Sequence, residues 1–299
     1  MPPEVSTGIQ ADRGQAWRGS LMALAAGALH ALSFAPGPLP AWTLPFIQIL
    51  ALSLLAHQVF SAGSVRRAAW RGWLFGFALF AVGVYWLTIS MHTFGGMPLM
   101  LAWAALALFA AALGLFAAFA SGLGAWLCGI HSGVAQPASR QILNAALWAS
   151  TWTLGEWLRG TVFTGFPWLN AGYAHVEGMF AGWGPMIGVY GLAWLAAFAS
   201  GAIALMARAK DTPYDRAAAG AVGLAVISGI LGIAWTHIAW VQAQGEPMIV
   251  RLVQTGTPQS IKFDAARFQT TLDKDLRLSS LPPKSPADAP ALVVLPETV

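Results

Sequence analysis

Charged residues are scarce in this sequence: they make up 9% of its 299 residues, against about a quarter in a soluble domain. Together with a hydrophobic share of 57% and a mean hydropathy of +0.61, that scarcity excludes a water-soluble chain. Acidic residues are fewer than basic ones, 12 against 16. The resulting charge of +4 marks a nucleic-acid partner only if it clusters on one exposed face. Here the basic residues sit in short connections between apolar runs, so no nucleic acid is expected. Cysteine is almost absent. Cys128, inside an apolar stretch, is the sole one, which excludes a disulfide framework or a cysteine zinc site within the chain.

Long apolar runs are what the sequence has instead. A hydrocarbon core about 30 Å thick takes roughly 20 mainly apolar residues per helix. Seven segments match: Trp17 to Phe34, Trp42 to Phe60, Ala68 to Ser90, Pro98 to Ile130, Ile142 to Leu158, Pro185 to Ala207 and Ala217 to Trp240. The first, following Arg13 and Arg18, shares the pattern of a signal peptide. The weak small-residue site at Ala31 to Ala35 and the span that follows at once favour a retained helix.

Lys and Arg are retained on the cytoplasmic side of spans. Arg13 and Arg18 precede the first span, Arg66, Arg67 and Arg71 lie between the second and third, and Arg140 follows the fourth. Arg208, Lys210 and Arg216 separate the sixth and seventh. The alternate connections, Ala35 to Ala41, Met91 to Met97 and Arg159 to Gly184, hold Arg159 alone. This alternation predicts a cytoplasmic N-terminus (1–16), a transmembrane domain (17–240) and a non-cytoplasmic tail (241–299).

Charges return in the tail, where the apolar runs Met248 to Val253 and Ala291 to Leu295 read as buried strands. Between them Phe268, Leu272 and Leu276 recur every fourth residue, with Lys274, Asp275 and Arg277 off the stripe, as in an amphipathic helix. Strand, helix, strand predicts an α/β layer. So short a unit buries too little apolar surface to stand alone, so the tail reads as the start of a larger domain.

In Val293-Val294-Leu295-Pro296-Glu297 a carboxylate follows a strand, and strand ends are where α/β folds assemble sites. Two readings are open: a general base or acid, or a solvated loop Glu. The loop Thr164-Gly165-Phe166-Pro167-Trp168-Leu169-Asn170-Ala171-Gly172-Tyr173 joins turn residues to large rings, and reads either as a platform for lipid or as an aromatic belt. Glu156 and Arg159, three apart on one helical face, form either a functional pair or a snorkelling structural one. His30, His57, His92, His131, His175 and His237 lack close metal-ligand spacing, so no metal or cofactor is expected. Cys128 falls near the cytoplasmic end of the fourth span, about 30 Å of hydrocarbon from the side assigned to Glu297.

Four segments together resemble the bacterial apolipoprotein N-acyltransferase family. They are Ser33-Phe34-Ala35-Pro36, the Thr164 to Tyr173 loop, Val253 to Ser260 with Lys262-Phe263-Asp264, and Leu295-Pro296-Glu297-Thr298. The resemblance implies a seven-span helical membrane domain followed by the truncated start of a periplasmic α/β nitrilase-like (αββα) domain, in the bacterial inner membrane. It also implies a Glu-Lys-Cys triad in which Glu297 is the base. Lys262 and Lys284 precede Glu297 and are not assigned to the triad; its Lys and Cys are expected downstream, so the 299 residues alone are expected to be inactive. The implied reaction moves an acyl chain from a phospholipid, through a cysteine thioester, to the N-terminal diacylglyceryl-cysteine of an apolipoprotein. Membrane lipids are further partners, and Trp168 and Tyr173 are implied to shape the lipid entrance. Two other classes stay open on the residues: a membrane transporter and a membrane-tethered nitrilase-type amidase.

Overall fold

The computed structural model describes residues 5–35, 39–130, 140–208, 214–258 and 266–296. The chain divides into two compact units, Met1–Ile238 and Ala239–Val299. The first is built of helices: α1 (Val5–Ala31), α2 (Leu44–Phe60), α3 (Val65–Gly83), the short α4 (Trp86–Ile89) with a π-helical turn at Ser90–Phe94, α5 (Leu99–Leu127), α6 (Arg140–Thr161), α7 (Gly184–Met206) and α8 (Tyr214–Trp235).

Local chemistry sets several of these boundaries. Pro45 occupies the first turn of α2 and Pro185 that of α7, where a missing N–H costs nothing. Ser64 caps α3 by accepting from the Arg67 N–H at 3.3 Å. Among the described residues four helical stretches are long and apolar enough to cross a membrane: 41–60, 99–127, 181–206 and 216–235. Counting α3 with the 86–94 segment, bent by 49° against it, gives up to five. Four to five of the seven stretches read as spans from the sequence meet that test among the described residues. The first and fifth expected spans are helical, as α1 and α6. Asn144, Glu156, Arg159 and a series of Trp and Thr dilute the apolar character of α6. The seventh ends at Trp235 rather than Trp240, and α7 carries a non-helical break at Gly188.

Packing in this unit relies on small residues, which let apolar helices approach without a water-driven hydrophobic force. A Cβ on Gly27 of α1 would lie 2.1 Å from the Phe75 carbonyl oxygen of α3. One on Gly76 would lie 2.8 Å from the Gly114 Cα of α5. Around these crossings Leu52, Leu55, Phe75, Phe80, Leu106 and Trp148 fill the core. Cys128 follows α5 and is buried in the same core, its Sγ donating to the Asn144 carbonyl at 3.6 Å.

The second unit has the expected order of strand, helix, strand: β1 (Val250–Leu252), α9 (Phe268–Ser279) and β2 (Leu292–Val294). The strands are parallel, with Val250 opposite Leu292 and Leu252 opposite Val294. Two expectations are corrected. The strands are shorter than read and exposed rather than buried, with Leu252 at 74%, because a two-stranded sheet with one helix leaves strand surface uncovered. The helix is present but rolled about its axis. Phe268 and Leu276 are exposed, while Asp275, read as lying off the stripe, is 1% exposed. Lys274 donating to the Thr255 carbonyl and Arg251 donating to the Ser279 carbonyl, both at 2.7 Å, hold that rotation.

Candidate functional site

The connection from α6 to α7 is assembled around the last turns of α6. Glu156 and Arg159 lie on one face of the helix, 3.8 Å apart and both buried. After α6 the chain reverses through Phe163 and Thr164, both in the left-handed region with φ of 53° and 69°. Gly165 follows at φ 80° and ψ 152°. This reversal aims backbone carbonyls at the helix they left. The Arg159 guanidinium donates to the carbonyl of Phe166 and, at 2.6 Å, to that of Trp168. Glu156 Oε1 accepts the Ala171 N–H at 2.9 Å. Loop backbone in an apolar setting needs such partners, because no water replaces them.

The snorkelling reading of Glu156 and Arg159 is therefore corrected. A snorkelling arginine carries its head into water along an apolar stem, whereas the Arg159 guanidinium turns inward onto the loop and lies 5.2 Å from the centre of the Phe80 ring.

A second tie runs from the other end of the loop. His175, in the turn Ala171–His175, meets Gln48 Oε1 of α2 at 3.0 Å. Gln48 Nε2 donates to Ser33 Oγ at 3.5 Å, and Ser33 Oγ donates to the His30 carbonyl at 2.6 Å. Because Gln48 directs its amide nitrogen at Ser33, its oxygen is the acceptor and His175 carries its proton on Nε2. Burial lowers the His175 pKa from 6.5 to about 3. Below pH 6.5 an unfolded chain binds a proton that the folded imidazole refuses. This stability is complete above that pH and is lost as pH falls towards 3. Between pH 7.5 and pH 5 the loss amounts to about 2 kcal/mol. Urea unfolding in detergent should show His175→Asn losing less stability than wild type over that interval; identical losses would refute the assignment.

Between the two ties lies an open groove of about 460 Å³, lined by Phe34 and Ala35, just past the end of α1, and by Pro167, Trp168, Leu169 and Tyr173 from the loop. Trp168 and Tyr173, singled out in the sequence, are half exposed on this common groove. Trp168 stacks on Phe166 at 5.0 Å between ring centres, and Phe166 inserts edge-on against Phe109 of α5 and Phe80 of α3 at 5.0 and 6.4 Å. Among the described residues no charged side chain lines the groove. Its size is that of a small-molecule site and its lining suits hydrocarbon.

Glu297, the expected base, lies outside the described residues, as do His131, Pro36, Gln259 to Asp264 and Thr298. Among the described residues no group of three His, Cys, Asp or Glu is arranged to hold a metal ion. Sequence reasoning missed the chain His175, Gln48, Ser33, whose members are 127 and 15 residues apart. One signal was available: Gln48 is an amide in the middle of an apolar run, and polar groups within spans find partners there.

Comparison with known proteins covers the same segments. The family profile described as the apolipoprotein N-acyltransferase N-terminal domain matches residues 26–202. That range holds α2 to α6, most of α7, the groove and both ties. An apolipoprotein N-acyltransferase of Bordetella bronchiseptica is 46% identical over 291 residues, covering 97% of this chain and 53% of the relative. One from Ralstonia nicotianae is 40% identical over 276 residues, 91% of this chain and 48% of the relative. One from Pseudomonas putida is 36% identical over 285 residues, 94% of this chain and 52% of the relative. The chain thus spans about half the length of these curated relatives. Since the profile matches more than half of its residues, the chain belongs to the apolipoprotein N-acyltransferase family.

Proposed function

We propose that this chain is part of an inner-membrane N-acyltransferase that moves an acyl chain from a phospholipid to the N-terminal amine of a diacylglyceryl-cysteine apolipoprotein. The observation that carries this reading is the groove itself. Two segments that resemble the family, Ser33 to Ala35 and the Thr164 to Tyr173 loop, are far apart in sequence yet line one apolar recess. In this reading the acyl chain lies along Trp168 and Tyr173. The seven spans put the N-terminus in the cytoplasm and residues 241–299 in the periplasm, where they begin a nitrilase-like sheet. The exposed apolar strands β1 and β2 support that last step, since they are faces suited to further layers.

The proposed chemistry is ping-pong. Glu297 takes the proton of a cysteine thiol supplied by the full-length protein, and the thiolate attacks the phospholipid ester carbonyl. The C–S bond forms as the C–O bond breaks, and the proton passes to the departing lysophospholipid oxygen. The lipoprotein amine then attacks the thioester, forming the amide, releasing the thiolate and giving up its proton to the base. Neighbouring donors must hold the oxyanion in each half.

The test uses full-length protein in nanodiscs with a fluorescent phospholipid and a diacylglyceryl-cysteine peptide. Wild type should transfer the label to the peptide. Trp168→Ala and Tyr173→Ala should each raise the KM for phospholipid about tenfold, with a smaller effect on kcat. Absence of transfer with release of ammonia from amides would replace this reading by the amidase, and unchanged KM values would remove the groove from the acyl-donor site.

A further inference from the structure

We infer that Glu156 and Arg159 are positioning residues for the acyl donor: they hold Phe166 to Ala171 as a fixed wall, so that the groove is preformed rather than closed over the lipid by a moving lid. This rests on the groove being the donor site, as proposed above.

Neither residue lines the groove. Their influence reaches it through the loop backbone. Arg159 is bonded to Phe166 in both directions, its carbonyl accepting the Phe166 N–H at 2.7 Å while its guanidinium donates to the Phe166 carbonyl. The same guanidinium holds the Trp168 carbonyl, and Glu156 holds the Ala171 N–H. Each end of the groove wall is thus tied to one turn of α6. The side chains repeat the dependence: Trp168 rests on Phe166, and Phe166 is wedged against Phe109 and Phe80.

Behind this wall lies a second, much smaller cavity of about 20 Å³, lined in part by Trp152, Glu156, Arg159, Leu79 and Phe80. The Trp152 indole N–H lies beside the Glu156 carboxyl group at this cavity. A space of that volume admits about one water. An outward swing of the loop would take three backbone partners from a buried ion pair and leave the charges unsatisfied in an apolar interior. That makes opening costly, which is the property of a wall. Gating loops are drawn instead from the weakly held parts of a structure.

The experiment compares Arg159→Lys, Arg159→Gln and Glu156→Gln with wild type, as full-length proteins in nanodiscs. Lys keeps the charge but cannot span two carbonyls as the guanidinium does. Arg159→Lys is expected to fold, to raise the phospholipid KM about tenfold, and to keep kcat at saturating donor within about twofold. In a double-mutant cycle, Arg159→Lys should add little to Trp168→Ala, because both act through one wall. Hydrogen exchange at residues 166–173 should accelerate in Arg159→Lys without lipid present. A faster-exchanging loop with unchanged KM, or full additivity with Trp168→Ala, would overturn the inference. If wild type transfers no acyl chain, the proposed function fails on its own. The inference is then judged by equilibrium binding of the fluorescent phospholipid, which should weaken about tenfold in Arg159→Lys and would overturn it if unchanged.

Discussion

Glu297→Gln in the full-length protein is expected to lower the rate of acyl-enzyme formation by about a thousandfold, the middle to upper part of what a positioned general base supplies. A thiol with an ordinary pKa near 8.5 is only a few per cent thiolate at pH 7. Gln matches Glu in shape but cannot take the proton. The loss should therefore recover with pH, rising about tenfold per unit until the thiol ionises unaided. Intact-mass detection of the thioester after mixing with phospholipid measures this directly. A rate unchanged from wild type at pH 7 would return Glu297 to the status of a solvated loop residue. Within the 299 residues the single thiol is that of Cys128, buried among the membrane-domain helices. A polypeptide of these residues alone is accordingly expected to form no thioester.

What was legible in the sequence follows from the range of the forces involved. Apolar runs reported helices well, because burial of a whole helix is written in consecutive residues: α2, α5 and α7 lie within a few residues of their expected spans. Ends were less legible where polar residues dilute the run, as at Thr236 and His237 beyond α8. The roll of α9 was misread because the four-residue stripe of Phe268, Leu272 and Leu276 is a local signal. Its actual face is fixed by hydrogen bonds to Thr255 and Ser279 from residues far apart in sequence. The loop shows the same division. Its rings and turn residues marked it as a place of interest, and Trp168 and Tyr173 do line a common groove. The partners of its backbone were invisible, since nothing in a Glu-x-x-Arg spacing says that the guanidinium turns inward onto carbonyls seven and nine residues ahead.

The strongest structural effect is expected from Gly165→Ala, at a cost of about 3 kcal/mol. Two causes act together. Gly165 has φ 80° and ψ 152°, a conformation that a side chain makes unfavourable. Its Cβ would also lie 2.0 Å from the Gly160 carbonyl oxygen, which is backbone of α6 and cannot rotate aside. The chain must move at the residue before Phe166, disturbing the Phe166 N–H bond to Arg159 and the groove wall beyond it. Gly96 separates the two causes: it has φ 67° but nothing within 4 Å of an added Cβ, so Gly96→Ala carries strain without collision and is expected to cost about 1 kcal/mol. Thermal unfolding of the full-length variants in detergent distinguishes them, and equal losses would show that collision at Gly165 is relieved. The donor KM sharpens the contrast, because Gly165→Ala displaces the groove wall and should weaken phospholipid use about tenfold. Gly96, in the turn between Phe94 and α5, has nothing within 4 Å of an added Cβ, and Gly96→Ala should leave that KM unchanged.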